Sequence, residues 1–386
     1  MKMIFLCHDF TGSPDIYDST LWSTIMNCHM GVPLDINGTS LFENWRKSLD
    51  SWFSQYSKYS LSCTGYCHLS GSVFQDHVLN REENYTPDIM LCERFGGKIV
   101  SLDDYDIIFI ICQSALYGYI RYIRSRYPNK IIIGIQDDSL QELQLFDTKA
   151  KIVVHDALCS LDGFIAYNTQ MKSWMEGFDT NTVLCHHPIT KQYIEQIRDK
   201  TASIHKQDRI CLGITNWNYD HTNFLSNIVV LKNLRKDYPS PLKGEFIGVK
   251  DYKIADLNLF ASICPDIEIL GYLKEDYYQT LKSYKLIIQM GTRAVAGRPC
   301  AESAVVGTPM IGTRNADMQE YCWPDISINE FDIAQAITLG KKLLSDTEFY
   351  AQICEKAYEN LVLLAKDTQL YTKMINQWIA DDMSLK

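Results

Sequence analysis

Short apolar runs alternate along the chain with amphipathic stretches of helical length, and that alternation predicts strands and helices in turn around parallel sheets. In the first half the strand candidates are Met3 to Leu6, Ile107 to Cys112, Lys130 to Ile135, Ile152 to Val154, Gly163 to Tyr167 and Val183 to Cys185. Helices are expected near Leu41 to Tyr56, Ala115 to Tyr127 and Thr169 to Gly177. The polar stretch Arg198 to Asp208 interrupts this rhythm and reads as a crossing between domains, close to residue 200. Beyond it the strand pattern returns at Ile210 to Ile214, Gly244 to Gly248, Ile267 to Leu270, Lys285 to Gln289 and Pro309 to Ile311. The interval Ser57 to Asn84 has no clear period and receives no assignment.

A chain of 386 residues exceeds the size at which a single core keeps growing, so two domains are expected. Their bounds read as 1–195 and 205–362, with 363–386 as a terminal segment. Hydrophobic residues at 46% and charged residues at 22% are ordinary for a globular protein, which argues against extended disorder. The opening MKMIFLCHDF lacks the apolar core and cleavage site of a secretory signal and reads as a first buried strand. No run approaches the roughly 18 apolar residues of a membrane span.

Of the thirteen cysteines, Cys7, Cys112, Cys211 and Cys354 lie in apolar stretches, where a thiol behaves as a small hydrophobe. A reducing, cytoplasmic setting is therefore expected. Cys63 and Cys67, with His68, have the types to ligate zinc, but no second ligand pair follows at finger spacing, and buried thiols are the alternative. The net charge of −10 repels polyanions unless basic residues gather on one face, so nucleic acid is disfavoured as a partner.

The segment Gly297 to Thr313 is the richest in chemistry. Pro299 suits a first helical turn and Gly307 a left-handed helix cap, which predicts a short helix followed by a strand. A helix start presents N–H groups and partial positive charge to a phosphate. Glu302, expected in the first turn, would accept from ribose hydroxyls, so the site suits a nucleoside diphosphate.

With Gly307-Thr308-Pro309 ending its helix, Glu302 resembles the second glutamate of the Glu, seven residues, Glu donor motif of a large family of GT-B glycosyltransferases. The resemblance spans residues 205 to 340. It implies two doubly wound Rossmann-like α/β domains facing across a cleft, and a nucleotide-diphosphate sugar, UDP-sugar foremost, as co-substrate. It also implies that Gly271, Tyr272 and Leu273 end a strand beside the nucleobase. The run from Gly312 to Glu320 is similar to the family's glycine-containing loop after the strand.

Departures are plain: Ala294 stands where the first glutamate belongs, and the loop from Gly213 through Asn216 to His221 lacks the family's basic pair. Arg293, Arg298 and Arg314 are placed to substitute as diphosphate donors. Their alternative is a solvated surface or an ion pair. Likewise, Glu302 could be a simple carboxylate near a helix start.

In the first half, Gln136, Asp137 and Asp138 follow a strand at its carboxyl end, the edge where open α/β sheets bind ligands. The resemblance puts Asp137 where related enzymes often carry a histidine, so Asp137 and Asp138 are the catalytic candidates, for an acceptor proton or a cationic transition state. Helix capping by Asp138 or Ser139 is the alternative. His8, Thr11, Gly12 and Ser13 are similarly placed for acceptor or phosphate, with a plain turn as alternative. His155-Asp156 and His186-His187 read as structural or hinge residues. Asp103-Asp104-Tyr105-Asp106 matches a metal-binding pattern but precedes its strand, so no metal is required.

Together these readings imply a metal-independent transferase moving a sugar to a glycan, lipid carrier, protein or modified phage-type DNA base. By the same resemblance, Leu370 to Trp378 would cross back to the N-domain. A nucleotide-sugar epimerase of the same fold and a non-catalytic binding module are the alternatives.

Overall fold

The computed structural model describes residues 2–9, 62–70, 90–92, 98–100, 106–112, 117–136, 139–146, 148–184, 186, 191–214, 223–247, 262, 264–271 and 277–365. The first four of these stretches are described by backbone alone. The chain divides into two compact units, one drawn from Met1–Pro188 and the other from Ile189–Lys366.

The first unit contains β1 (Lys2–Asp9), β2 (Ser62–Ser70), β3 (Met90–Cys92), β4 (Lys98–Val100), β5 (Ile107–Cys112), α1 (Tyr117–Arg126), β6 (Ile131–Gln136), α2 (Leu140–Leu145), α3 (Thr148–Leu158), β7 (Gly163–Ala166), α4 (Thr169–Glu176) and β8 (Asn181–Leu184). Six strands form a parallel sheet in the order β2-β1-β5-β6-β7-β8, while β3 and β4 pair antiparallel on their own. The near-continuous apolar runs of β5 and β6 fit a sheet covered on both faces. Ile107, Ile108, Ile110, Ile132 and Ile133 are fully buried, and each such side chain contributes roughly 1.5–3 kcal/mol.

Two expectations change here. Ile152 to Val154 is not a strand but the middle of α3. Its three apolar residues imitate a strand, yet Val154, Ala157 and Leu158 are buried at helical spacing while Ile152 is exposed. The unassigned interval Ser57 to Asn84 contributes β2, parallel to β1. Its Ser, Thr, Gly and His residues hide any strand pattern, and Cys63, Cys67 and His68 lie along this strand. The expected helix Leu41 to Tyr56 and the segment Leu370 to Trp378 lie outside the described residues.

The second unit contains α5 (Lys191–Thr201), β9 (Gln207–Cys211), α6 (Phe224–Leu234), β10 (Lys243–Phe246), β11 (Ile267–Ile269), α7 (Tyr277–Ser283), β12 (Tyr284–Gln289), α8 (Arg298–Val306), β13 (Met310–Thr313), α9 (Asp317–Cys322), β14 (Ser327–Ile328) and α10 (Ile333–Ser345). A further helix runs over residues 347–365. Arg198 to Asp208 thus falls within this unit, as the end of α5 and the start of β9. All six strands are parallel, in the order β11-β10-β9-β12-β13-β14. The chain builds outward from β9 to β11, then returns to the other flank of β9 with β12. That reversal fixes where a ligand site belongs, at the carboxyl ends of β9 and β12.

No helix among the described residues is long and apolar enough to cross a membrane. Seven described cysteines are free thiols, of which Cys159 is exposed.

Candidate functional site

Two buried amides hold the reversal point together. Asn227 of α6 donates from Nδ2 to the Leu212 carbonyl at 2.7 Å beyond β9 and accepts the Met290 N–H at 3.2 Å beyond β12. Gln289, the last residue of β12, accepts the Ile214 N–H at 3.2 Å. Backbone groups that leave a sheet ladder must find other partners, and these side chains supply them.

The loop from Met290 to Gly297 then runs against the turn after β13. Val295 donates its N–H to the Asn315 carbonyl at 3.0 Å, Asp317 to Val295 at 3.2 Å and Met318 to Ala296 at 2.9 Å, while the Thr313 hydroxyl donates to Gly291. This stitching aims the start of α8. Gly297, the residue before the helix, has φ 83°. A Cβ there would lie 2.8 Å from the Cβ of Ala316, so both conformation and space call for glycine. Pro299 sits in the first turn, and Gly307 ends the helix at φ 65°, as the sequence predicts. Trp323 braces the helix by donating from Nε1 to the Cys300 carbonyl at 3.0 Å.

Glu302 departs from its expected position. Because α8 begins at Arg298, Glu302 falls in the second turn, and the first turn holds no acidic residue. Its side chain is 8% exposed and is held at both oxygens. Arg298 donates from Nε to Oε1 at 2.7 Å, one helical turn away, and the Tyr277 hydroxyl donates to Oε2 at 2.5 Å. Burial works against the charge on Arg298, but the adjoining Glu302 carboxylate more than offsets it, so the guanidinium stays protonated. Burial first, then the same carboxylate, push the Tyr277 phenol well above its ordinary value and keep it a donor.

This edge of an open parallel sheet, with a helix start and a fixed cation at its reversal, is suited to an anionic nucleotide. Its fold has solved counterparts. No family model matches the chain, and no curated protein matches its sequence. The fold is similar to that of Anabaena HepE solved with UDP, at a TM-score of 0.61 and 13% identity over 100% of both chains. The complex of HepE with UDP-glucose gives a TM-score of 0.60 at 13% identity, again over 100% of both. An α-glucosyltransferase in complex with UDP-glucose and DNA containing an abasic site gives 0.55 at 13% identity, covering 98% of this chain and 99% of that one. Staphylococcus aureus TarM, in a mutant form with Fondaparinux, α-GlcNAc-glycerol and UDP, gives 0.61 at 9% identity over 97% and 99%. At such identities the likeness is one of fold.

Of the sequence candidates, Arg298 and Glu302 are brought together. Arg293 is half-buried in the loop before α8. Arg314 is exposed and forms an ion pair with Glu320, which is the alternative the sequence left open for it. Gly213 follows β9 with φ 149°, a backbone that favours glycine, and Gly271 lies just beyond β11. In the first unit, His8 is a residue of β1. Gln136 ends β6 and is buried, its Oε1 accepting the Tyr167 N–H at 2.7 Å. Ser139 caps α2: its hydroxyl accepts the Glu142 N–H at 3.2 Å and its own N–H donates to Glu142 at 2.8 Å. Of the residues after β5, Tyr117 reaches back to the Cys112 carbonyl at 3.2 Å. His155 and Asp156 lie in α3 rather than near a strand end. Asp137, Asp138, Asn216, Tyr272, Leu273, Thr11, Gly12 and Ser13 lie outside the described residues.

Tyr277, Asn227 and Gln289 were not among the candidates. Only Asn227 carries a local sign, an amide directly before the apolar run Ile228 to Leu231 of α6. Tyr277 becomes visible once the fold brings it 25 positions along the chain to Glu302.

Proposed function

We propose that the chain is a glycosyltransferase of the GT-B kind that uses a nucleoside-diphosphate sugar, UDP-sugar foremost. The observation that carries this is the start of α8 at the β9–β12 reversal, with Arg298 and Tyr277 fixing Glu302, in a fold shared with proteins solved with UDP and UDP-glucose. The diphosphate would rest at the helix start, with Arg298 and Arg293 as cationic donors. Ribose hydroxyls would donate to Glu302. The base would meet the end of β11, from Gly271 through Tyr272 to Leu273, and Gly213 to Asn216 would line the sugar-nucleotide.

The second unit, residues 205–362 included, forms the donor domain in this proposal and the first unit the acceptor domain, with 363–386 as its terminal helix. His8, Thr11, Gly12, Ser13 and Gln136 mark the acceptor side. The acceptor oxygen forms the new glycosidic bond, its proton passes to Asp137 or Asp138, and the anomeric bond to the diphosphate breaks. Cationic side chains and the helix start stabilise the departing charge.

A thermal-shift screen of UDP-, GDP- and ADP-sugars, followed by donor hydrolysis or transfer in EDTA, tests this. UDP-sugar is expected to raise the melting temperature of the native chain and not of Glu302→Ala. Equal stabilisation of both proteins, or of neither, would sink the assignment.

A further inference from the structure

Three cations converge without a counter-charge on the amino edge of the second sheet, the edge away from the start of α8. Lys206 leads into β9 and donates to the Thr308 hydroxyl at 2.5 Å. Lys282 lies near the end of α7, just before β12, and its Nζ would stand 3.8 Å from a Cβ placed on Gly307. The helix over residues 347–365 presents Tyr350, Cys354 and Tyr358 at four-residue spacing, which is one helical face. From that face Cys354 donates its thiol to the Gly307 carbonyl at 3.6 Å, and the Arg198 guanidinium of α5 stacks 3.8 Å above the Tyr358 ring.

Among the described residues no carboxylate pairs with Lys206, Lys282 or Arg198, whereas Arg209, Lys285, Arg298 and Lys341 of the same unit each hold one. The Tyr350 hydroxyl is buried and has no hydrogen-bond partner. The last turn of α8 attracts cations through its dipole, but it is not a full countercharge. Removing two ammonium groups from water beside one another is unfavourable unless an anion joins them or one gives up its proton. Burial, then the Lys282 charge, accordingly hold the Lys206 ammonium down to about 7, and burial lowers Lys282 as well.

We propose that this edge is a second anion site, which takes a small oxyanion of the phosphate class. Lys206 and Lys282 hold the oxyanion over the Gly307–Thr308 turn, Arg198 stands at the rim, and the Tyr350 hydroxyl donates to it. The site is independent of the nucleotide site at the other edge, since it shares none of its residues.

Inorganic phosphate is the probe, tested on the full chain with excess UDP present to occupy the nucleotide site. Acetylation of Lys206 by acetic anhydride at pH 7.5 is followed by peptide mass spectrometry in phosphate and in chloride of equal ionic strength. A bound oxyanion raises the Lys206 ammonium from about 7 and protects it, so at pH 7.5 phosphate slows labelling about threefold, the effect of roughly one pKa unit. Exposed Lys200 reacts alike in both salts. In Lys282→Gln, or in Arg198→Gln should the first fail to fold, the ratio between salts falls toward one. Equal labelling of Lys206 in the two salts overturns the site, as does undiminished protection in the folded variant.

Discussion

Glu245 and Glu302 are buried carboxylates with the same two kinds of partner, an arginine and a tyrosine hydroxyl. Glu245 sits on β10 and takes both oxygens to Arg209 Nη1, at 3.2 and 3.0 Å, while the Tyr284 hydroxyl adds a bond at 2.6 Å. Arg209 in turn donates to Ser283 and stacks 4.8 Å above the Tyr284 ring. Every partner rises from the sheet or its immediate edge, although the buried Arg209 Nε has no hydrogen-bond partner. Glu302 is held by one bond at each oxygen and stands on a helix whose start meets the strand reversal. An ionised carboxylate accepts about four hydrogen bonds, so two remain for a ligand. Identical chemistry is therefore a staple in one place and, in the proposed donor site, a positioned acceptor in the other.

The largest effect that separates the two belongs to Glu245→Ala. Stranding Arg209 in the interior is expected to cost about 3–5 kcal/mol in urea unfolding. Replacing both partners, Glu245→Leu with Arg209→Met, should restore most of it. Any stabilisation by UDP-sugar should survive in this pair of variants.

Glu302→Ala is the counterpart. Loss of hydrogen bonds to a charged group is worth about 1.5–3 kcal/mol, so UDP-sugar affinity should fall between about tenfold and a hundredfold in calorimetry. Unchanged affinity would make Glu302 a second staple. Gly297→Ala forces a strained left-handed backbone against Ala316 and should cost about 1–2 kcal/mol of stability. Because the strain is at the start of α8, donor affinity should drop with it, whereas Glu245 variants leave affinity alone.

Tyr277→Phe removes a single hydroxyl and should cost about 1 kcal/mol. Its effect belongs in donor affinity, about fivefold, while Tyr284→Phe should affect unfolding alone. The smallest change concerns a cation that lacks such a partner. Lys206 binds its proton less tightly folded than unfolded, so between about 7 and 10.5 the unfolded chain carries more protons and stability rises with pH. Between pH 7 and 8 the gain is under about 1 kcal/mol, since solvent screens a half-buried amine. Lys206→Met should flatten that rise in melting curves.

The elements most legible in the sequence were those whose burial is nearly uniform. The run Ile107 to Cys112 matches β5 at both ends, and α4 was read to within one residue, because continuous apolar strands and a helix stopping at Gly177 leave little ambiguity. Ile152 to Val154 misled because three residues are too short to separate period two from period 3.6. β2 was hidden because its polar residues give no alternation. Pro299 and Gly307 gave the extent of α8, but its start at Arg298 moved Glu302 one turn further than expected. Tyr277 beside Glu302, and the partners of Glu245, were invisible for a different reason. Arg209 and Tyr284 meet Glu245 because β9, β10 and β12 are brought together in one sheet, and Tyr277 meets Glu302 because α7 packs on α8; apolar patterning carries no information on either.

The Asn227 and Gln289 amides lock together parts of the chain 63 and 75 residues apart. Neighbouring pairs elsewhere in this sheet close far shorter loops, such as the 36 residues from Arg209 to Glu245. Loop-closure entropy makes the β9–β12 seam about 0.6 kcal/mol costlier to close than the β9–β10 pair, the effect of one doubling of the loop. It should zip late during refolding and part early during unfolding, so a nucleotide bridging the two strands would act most strongly on the rate at which the unit comes open.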